Sequence, residues 1–313
     1  MVQQGFTPET TAAIATQTLT ANLDAITSEI DGVLLNEDIE FIHRFRVAIR
    51  RLRNNVTIFQ SFGSHALESA LAEFHQQTDS LAILLAEARD LDIQQVLITE
   101  HLADNHPVAA VALTGLVSEK RQQIQHEITA DLQVTAFDSQ IENFKTLLKS
   151  MFPRESRMPS LPADMPVRAN ARACAQTIAG LYLMRDNIDA LERHQFRKVV
   201  RRLRYTLECF QPYFSFDLQP SIDYVHLIQD LLGNIHDLDI LLQIVADNRT
   251  NLHLLDQDIF VPLHNAQSPY LEQFKQVCES GSFMQELQDL LKQFNQMIYP
   301  NNGKNNYDRS THW

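Results

Sequence analysis

Two stretches of this chain are versions of one another: HRFRVAIRRLRNNVTIF, from His43 to Phe59, and HQFRKVVRRLRYTLECF, from His194 to Phe210. Aligned without a gap they share His43/His194, Phe45/Phe196, Arg46/Arg197, Arg50/Arg201, Arg51/Arg202, Leu52/Leu203, Arg53/Arg204 and Phe59/Phe210. A second echo follows each copy, LLAEARDLD ending at Asp92 and LLGNIHDLD ending at Asp239. Two motifs recurring in the same order read as an internal duplication.

Neither copy contains Gly or Pro, and the apolar residues recur at helical spacing, so each copy is predicted to be an amphipathic helix. At about 100° per residue, Ile42, Phe45, Ile49, Leu52, Val56 and Phe59 form a core face. His43, Arg46, Arg50 and Arg53 fall on the adjoining face, as do His194, Arg197, Arg201 and Arg204. Arg51 and Arg202 point away from both faces, beside Arg44 and Lys198.

A row of arginines on a helix is ordinarily a solvated face. Three features argue otherwise here. No Asp or Glu lies between His43 and Arg53 or between Arg193 and Arg204, so partners within the helix are missing. Ten of the eleven basic residues in those segments are Arg, the side chain whose planar fork grips phosphate or carboxylate oxygens. The row also occurs twice, histidine included.

Formal net charge is −13, which argues against a general polyanion binder. Segments 43–53 and 193–204 nevertheless hold 11 of the 26 Lys and Arg, leaving 15 against 39 acidic groups, or −24, elsewhere. An acidic body around two basic stripes favours anions at one confined place.

The 313 residues suffice for two domains of about 150 residues. Only 8 are Gly, and an apolar content of 44% suits a globular chain. No strand pattern with hairpin turns is present. The expectation is an all-α protein: two tandem four-helix-bundle-like halves related by a pseudo-twofold axis. Residues 1–152 would form the first bundle, and 153–166, with four prolines, a linker. Residues 167–299 would form the second bundle and 300–313 a disordered tail. Single helices are expected over about 8–35 and about 65–103. Cys174, Cys209 and Cys278 are scattered and unpaired as CxxC, consistent with a reducing compartment. With no leader-like or membrane-length apolar run, a soluble, cytoplasmic protein is expected.

Arg89, Asp90 and Asp92 in the first half correspond to His236, Asp237 and Asp239 in the second. Paired Asp near His could ligate a metal. Residues i and i+2 do not share a helix face, so the favoured reading is that one Asp of each pair orients arginines of the motif helix. The P-loop, dinucleotide-binding, zinc-protease and nucleophile-elbow motifs are absent, and nothing reads as an enzyme.

These residues resemble the CHAD family, the conserved-histidine α-helical domain. Its pattern of a His, an Arg three later, an RRLR-like run and a terminal aromatic matches His43, Arg46, Arg50 to Arg53 and Phe59. It matches again at His194, Arg197, Arg201 to Arg204 and Phe210. Leu231 to Asp239 and Arg89 to Asp92 are similar to the family's second signature in its two halves. The resemblance implies basic helices lining a shared groove and inorganic polyphosphate as ligand, with association at polyphosphate granules. Catalysis is not implied, because the sequence shows no CYTH triphosphatase domain, to which this domain is often joined. The implied ligand-binding set is His43, Arg46, Arg50, Arg51, Arg53, Arg89, His194, Arg197, Arg201, Arg202, Arg204 and His236. Asp90, Asp92, Asp237 and Asp239 are supporting acids, with no resident metal or cofactor. Two alternatives stay open: nucleic-acid binding through the same arginines, and metal binding through the His/Asp motifs.

Overall fold

In a computed structural model, residues 6–60, 65–134, 137–151, 162–186, 189–250 and 258–299 are described. They form α1 (Pro8–Thr27), α2 (Ile30–Leu35), α3 (Ile39–Gln60), α4 (His65–Gln77), α5 (Asp79–Leu102), α6 (Pro107–Val134) and α7 (Phe137–Met151). There follow α8 (Met165–Asp186), α9 (Ala190–Phe210), a 3-10 turn (Gln211–Tyr213), α10 (Gln219–Asn248), α11 (Phe260–Ser280) and α12 (Ser282–Ile298). The architecture is all-α, with no strand among the described residues.

The motif helices are α3 and α9. The face predicted for the core of α3 is buried, with Ile42, Phe45, Ile49, Leu52, Val56 and Phe59 each at most 1% exposed. In the first half α3 packs on α1 and α5, and α5 on α6; in the second, α9 packs on α8 and α10, and α10 on α11. The halves meet where α3 lies against α9 and α5 against α10. Phe59 and Phe210, which end the two motifs, meet edge to face at 6.0 Å. One apolar cluster extends across this seam, taking Phe210, Leu241, Val245 and Leu263 into the core built by the first half. A second cluster surrounds Phe196, Leu203, Leu207 and Ile235.

Two predicted helices are each broken once. The first gives way at Ser28 and Glu29, so that α2 turns under α3. Gly32 is required there: a Cβ would lie 2.0 Å from the Phe41 ring. Asn36 then ends α2 in the left-handed conformation (φ 51°), which its short polar side chain tolerates. The second break is at Thr78, between α4 and α5. The Thr78 hydroxyl turns back onto the carbonyls of Phe74 and His75, a local bond that competes with the helical ladder. The corresponding α10 runs unbroken for 30 residues. Most of the expected linker lies outside the described residues; Met165 and Pro166, assigned to it and to its margin, already belong to α8. The expected tail from 300 onward lies outside them too. No described helix is long and apolar enough to cross a membrane.

Candidate anion-binding groove

The packing of α3 on α9 brings the two arginine rows together. Arg46 is 12% exposed at its side chain. Burial, then the charge of Arg50, then the opposite row's Arg197 and Arg201 lower its pKa to about 10, against the pull of Asp90. Arg201 is likewise pushed down to about 10 by burial and by Arg50 across the seam. Arg197 is lowered by burial, with Asp237 opposing. Among the described residues Arg50, Arg197 and Arg201 form no ion pair. A half-buried cation without a carboxylate is costly, and 39 acidic residues were available to supply one.

A cavity of about 270 Å³ opens beside this cluster, lined by Arg50, Arg53, Lys198, Arg201, Arg202 and His75 among others. Lys198 and His75 were absent from the sequence-derived set. Lys198, expected away from the groove faces, nevertheless lines the cavity. His75 had a readable signal: it follows Arg53 by 22 residues, and His226 follows Arg204 by the same 22.

Under the arginines lie two acids, Asp90 from α5 and Asp237 from α10. Asp90 reaches Arg46 at 3.6 Å. Both partners shift towards their neutral forms, so burial outweighs the attraction of so long a pair. Asp237 is pushed up to about 6, chiefly by burial and also by Asp90, against Arg197 and Arg46. The two acid-bearing helices are tied by Gln94, whose amide donates to the Asp237 carbonyl at 3.0 Å.

The other two acids serve elsewhere. Asp92 is buried and accepts from Arg121 of α6 at 2.8 Å. Arg121 in turn donates to Gln125, which donates to the Val33 carbonyl. Asp239 accepts from Arg193 at 3.0 Å and from Gln267 of α11 at 2.6 Å. Each doublet thus splits as helix geometry requires, one acid facing the arginine groove and the other facing its own bundle.

The histidines flank the groove. His43 is half-buried, its pKa lowered by burial and by Arg89. His194 stacks obliquely on His236, centroids 4.9 Å apart. Burial and nearby cations lower both, His236 to about 4. Arg89 extends towards Glu40 at 3.5 Å. Among the described residues no three His, Cys, Asp or Glu side chains gather as a metal would need.

The far ends of the rows depart from the predicted face. Arg53 lines the cavity but is held by Asp79, by the Thr78 carbonyl at 3.1 Å and by His75. Arg204 is turned inward, 8% exposed, between Glu208 at 3.4 Å and His226 at 3.3 Å, over the Tyr205 ring. Arg51 leans across the seam to Glu208 at 3.3 Å. Each is drawn off the row by partners of its own: Asp79 and the Thr78 carbonyl for Arg53, and Glu208, just beyond the acid-free segment, shared by Arg204 and the exposed Arg51.

The CHAD domain pattern matches residues 17–246. Among solved structures the chain is similar to the CHAD domain from the plant Ricinus communis, with a TM-score of 0.61 and 19% identity, covering 90% of this chain and 91% of that one. It is also similar to PptA from Streptomyces chartreusis, with a TM-score of 0.55 and 14% identity, covering 91% of this chain and 99% of that one. At such identities the likeness carries the fold alone. Among curated proteins no relative matches the sequence. The family pattern spans both motif helices and both acidic motifs, and the chain belongs to the CHAD family.

Proposed function

We propose that the groove between α3 and α9 binds inorganic polyphosphate, and that the protein acts by binding rather than by catalysis. One observation carries this reading: Arg50, Arg197 and Arg201, from two helices, converge half-buried with no carboxylate paired to them among the described residues. Such a cluster is stabilised by an anion with several charges in a line. From His43 to Arg53 the row extends about 15 Å at 1.5 Å per residue, enough for several phosphates. Binding of a single-stranded nucleic acid would be favoured by faces on which bases stack. Tyr205, the aromatic residue at the cavity, is 3% exposed and its face is covered by Arg204. A polyphosphate ligand would also place the protein at polyphosphate granules.

The test is a titration with long-chain polyphosphate over a range of salt concentrations. With Arg46, Arg50, Arg197 and Arg201 each meeting one phosphate, log affinity should fall against log salt with a slope of about −3, by analogy with single-stranded nucleic acid. A flat salt dependence, or tighter binding of single-stranded RNA than of polyphosphate, would refute the reading.

A further inference from the structure

Residues 51 and 202 hold equivalent places in the two motif helices but meet different fates. Arg51 is neutralised by Glu208. Arg202 has no ion pair among the described residues and stands between two hollows. On one side it lines the large cavity with Arg50, Arg201 and Lys198. On the other it lines a small hollow between α8 and α9, with Arg172, Gln176, Thr206 and Ile58. Burial and then the charge of Arg172 lower the pKa of Arg202. Arg172 is exposed and also lacks an ion pair among the described residues.

The first half has nothing comparable. At the spacing of the repeat, Lys198, Arg172 and Arg168 correspond to Val47, Ala21 and Gln17. Arg168 is engaged by Asp164 at 2.5 Å, which leaves Arg172 and Arg202 as the uncompensated pair. Two guanidiniums facing one hollow repel each other until an anion comes between them. The main groove and the hollow share Arg202 as a wall, so an anion in one is next to the other.

We propose that Arg172 and Arg202 form a second phosphate subsite, over which a polyphosphate chain leaves the groove along α8. The proposal rests on the polyphosphate reading of the groove and gives the groove a direction. The chain exits on the second-half side, where basic residues continue, and not on the α1 side, where they stop.

The experiment uses the full chain with two ligands, long-chain polyphosphate and tripolyphosphate, whose three phosphates the four arginines of the groove can accommodate alone. Arg172→Gln should weaken binding of the long chain about two- to fivefold, as for an exposed ionic contact. It should also make the salt slope for the long chain shallower by about 0.7. Tripolyphosphate binding should be unchanged. Arg44→Gln, on the far side of α3 and paired with Glu29, should alter neither. Equal weakening of both ligands by Arg172→Gln would show a general field effect and overturn the subsite, as would no effect on either. Failure of the unsubstituted protein to bind any polyphosphate would instead overturn the groove reading, and this proposal with it.

Discussion

Replacing Arg201 by Gln should make the ligand-free protein more stable while weakening its binding. The Arg201 pKa is lowered from 12.5 to about 10 by burial and by Arg50. The folded state therefore disfavours the cation, and the cost is fully present at any pH below about 10. At about 1.4 kcal/mol per tenfold change in proton affinity, that cost is roughly 3 kcal/mol. Gln keeps part of the aliphatic stem but loses its contacts further out, which cancels part of the gain. The net expectation is about 1–2 kcal/mol, or a Tm increase of about 2–6 °C for a chain of this size. Polyphosphate should reverse the order, stabilising the parent by mass action and the variant much less. Thermal unfolding at pH 7, with and without ligand, measures both effects. If ligand-free Arg201→Gln unfolds several degrees below the parent, the arginine is part of the scaffold, and the view of the groove as a strained, ligand-awaiting cluster is wrong.

Two further outcomes follow from the acids. The Asp237 pKa, raised to about 6, places a negative charge beneath Arg46, Arg197 and Arg89, beside Asp90, at pH 7 and removes it below about 6. Polyphosphate should bind more tightly as pH falls through that value; Asp237→Asn should bind tightly already at pH 7 and show a flatter pH profile in the same titration. On stability the sign is that of a raised acid: its contribution is complete below the unfolded value of 3.8 and lost as pH rises through about 6. Asp92→Ala, by contrast, should cost about 3–5 kcal/mol in chemical denaturation because it leaves Arg121 buried and unpaired, with affinity unchanged among molecules still folded.

The all-α class and the core face of α3 were legible in the sequence because both rest on periodicity, which packing then enforced. The convergence of Arg46, Arg50, Arg197 and Arg201 follows from the same periodicity once α3 packs on α9. The ends of the rows were not legible. A helical wheel treats every turn alike and cannot show the acids of other helices or turns, such as Asp79 and Glu208, that engage Arg53, Arg204 and Arg51. The helix break at Thr78 was hidden too: its amide still donates to the Phe74 carbonyl, and the hydroxyl bonds to Phe74 and His75 that accompany the break leave no mark in the residue pattern. Burial and the neighbouring arginines lower His43 and His194, whereas burial raises Asp237 to about 6.

Acids in the floor of a basic groove have a structural reason. Arginines crowded from two helices without any counter-charge would push α3 and α9 apart at the seam that joins the halves. Asp90 and Asp237 sit on α5 and α10, the other two helices of that seam, and the Gln94 bond holds those helices in register. The acids thus draw on Arg46 and Arg197 from below, although burial disfavours their own charge. A fully charged salt bridge at each position would hold the fold better and leave nothing for a ligand to neutralise. A long, desolvated pair such as Arg46–Asp90 at 3.6 Å holds the guanidinium in place with its charge only partly cancelled. The same residues can therefore serve cohesion without ligand and recognition with it.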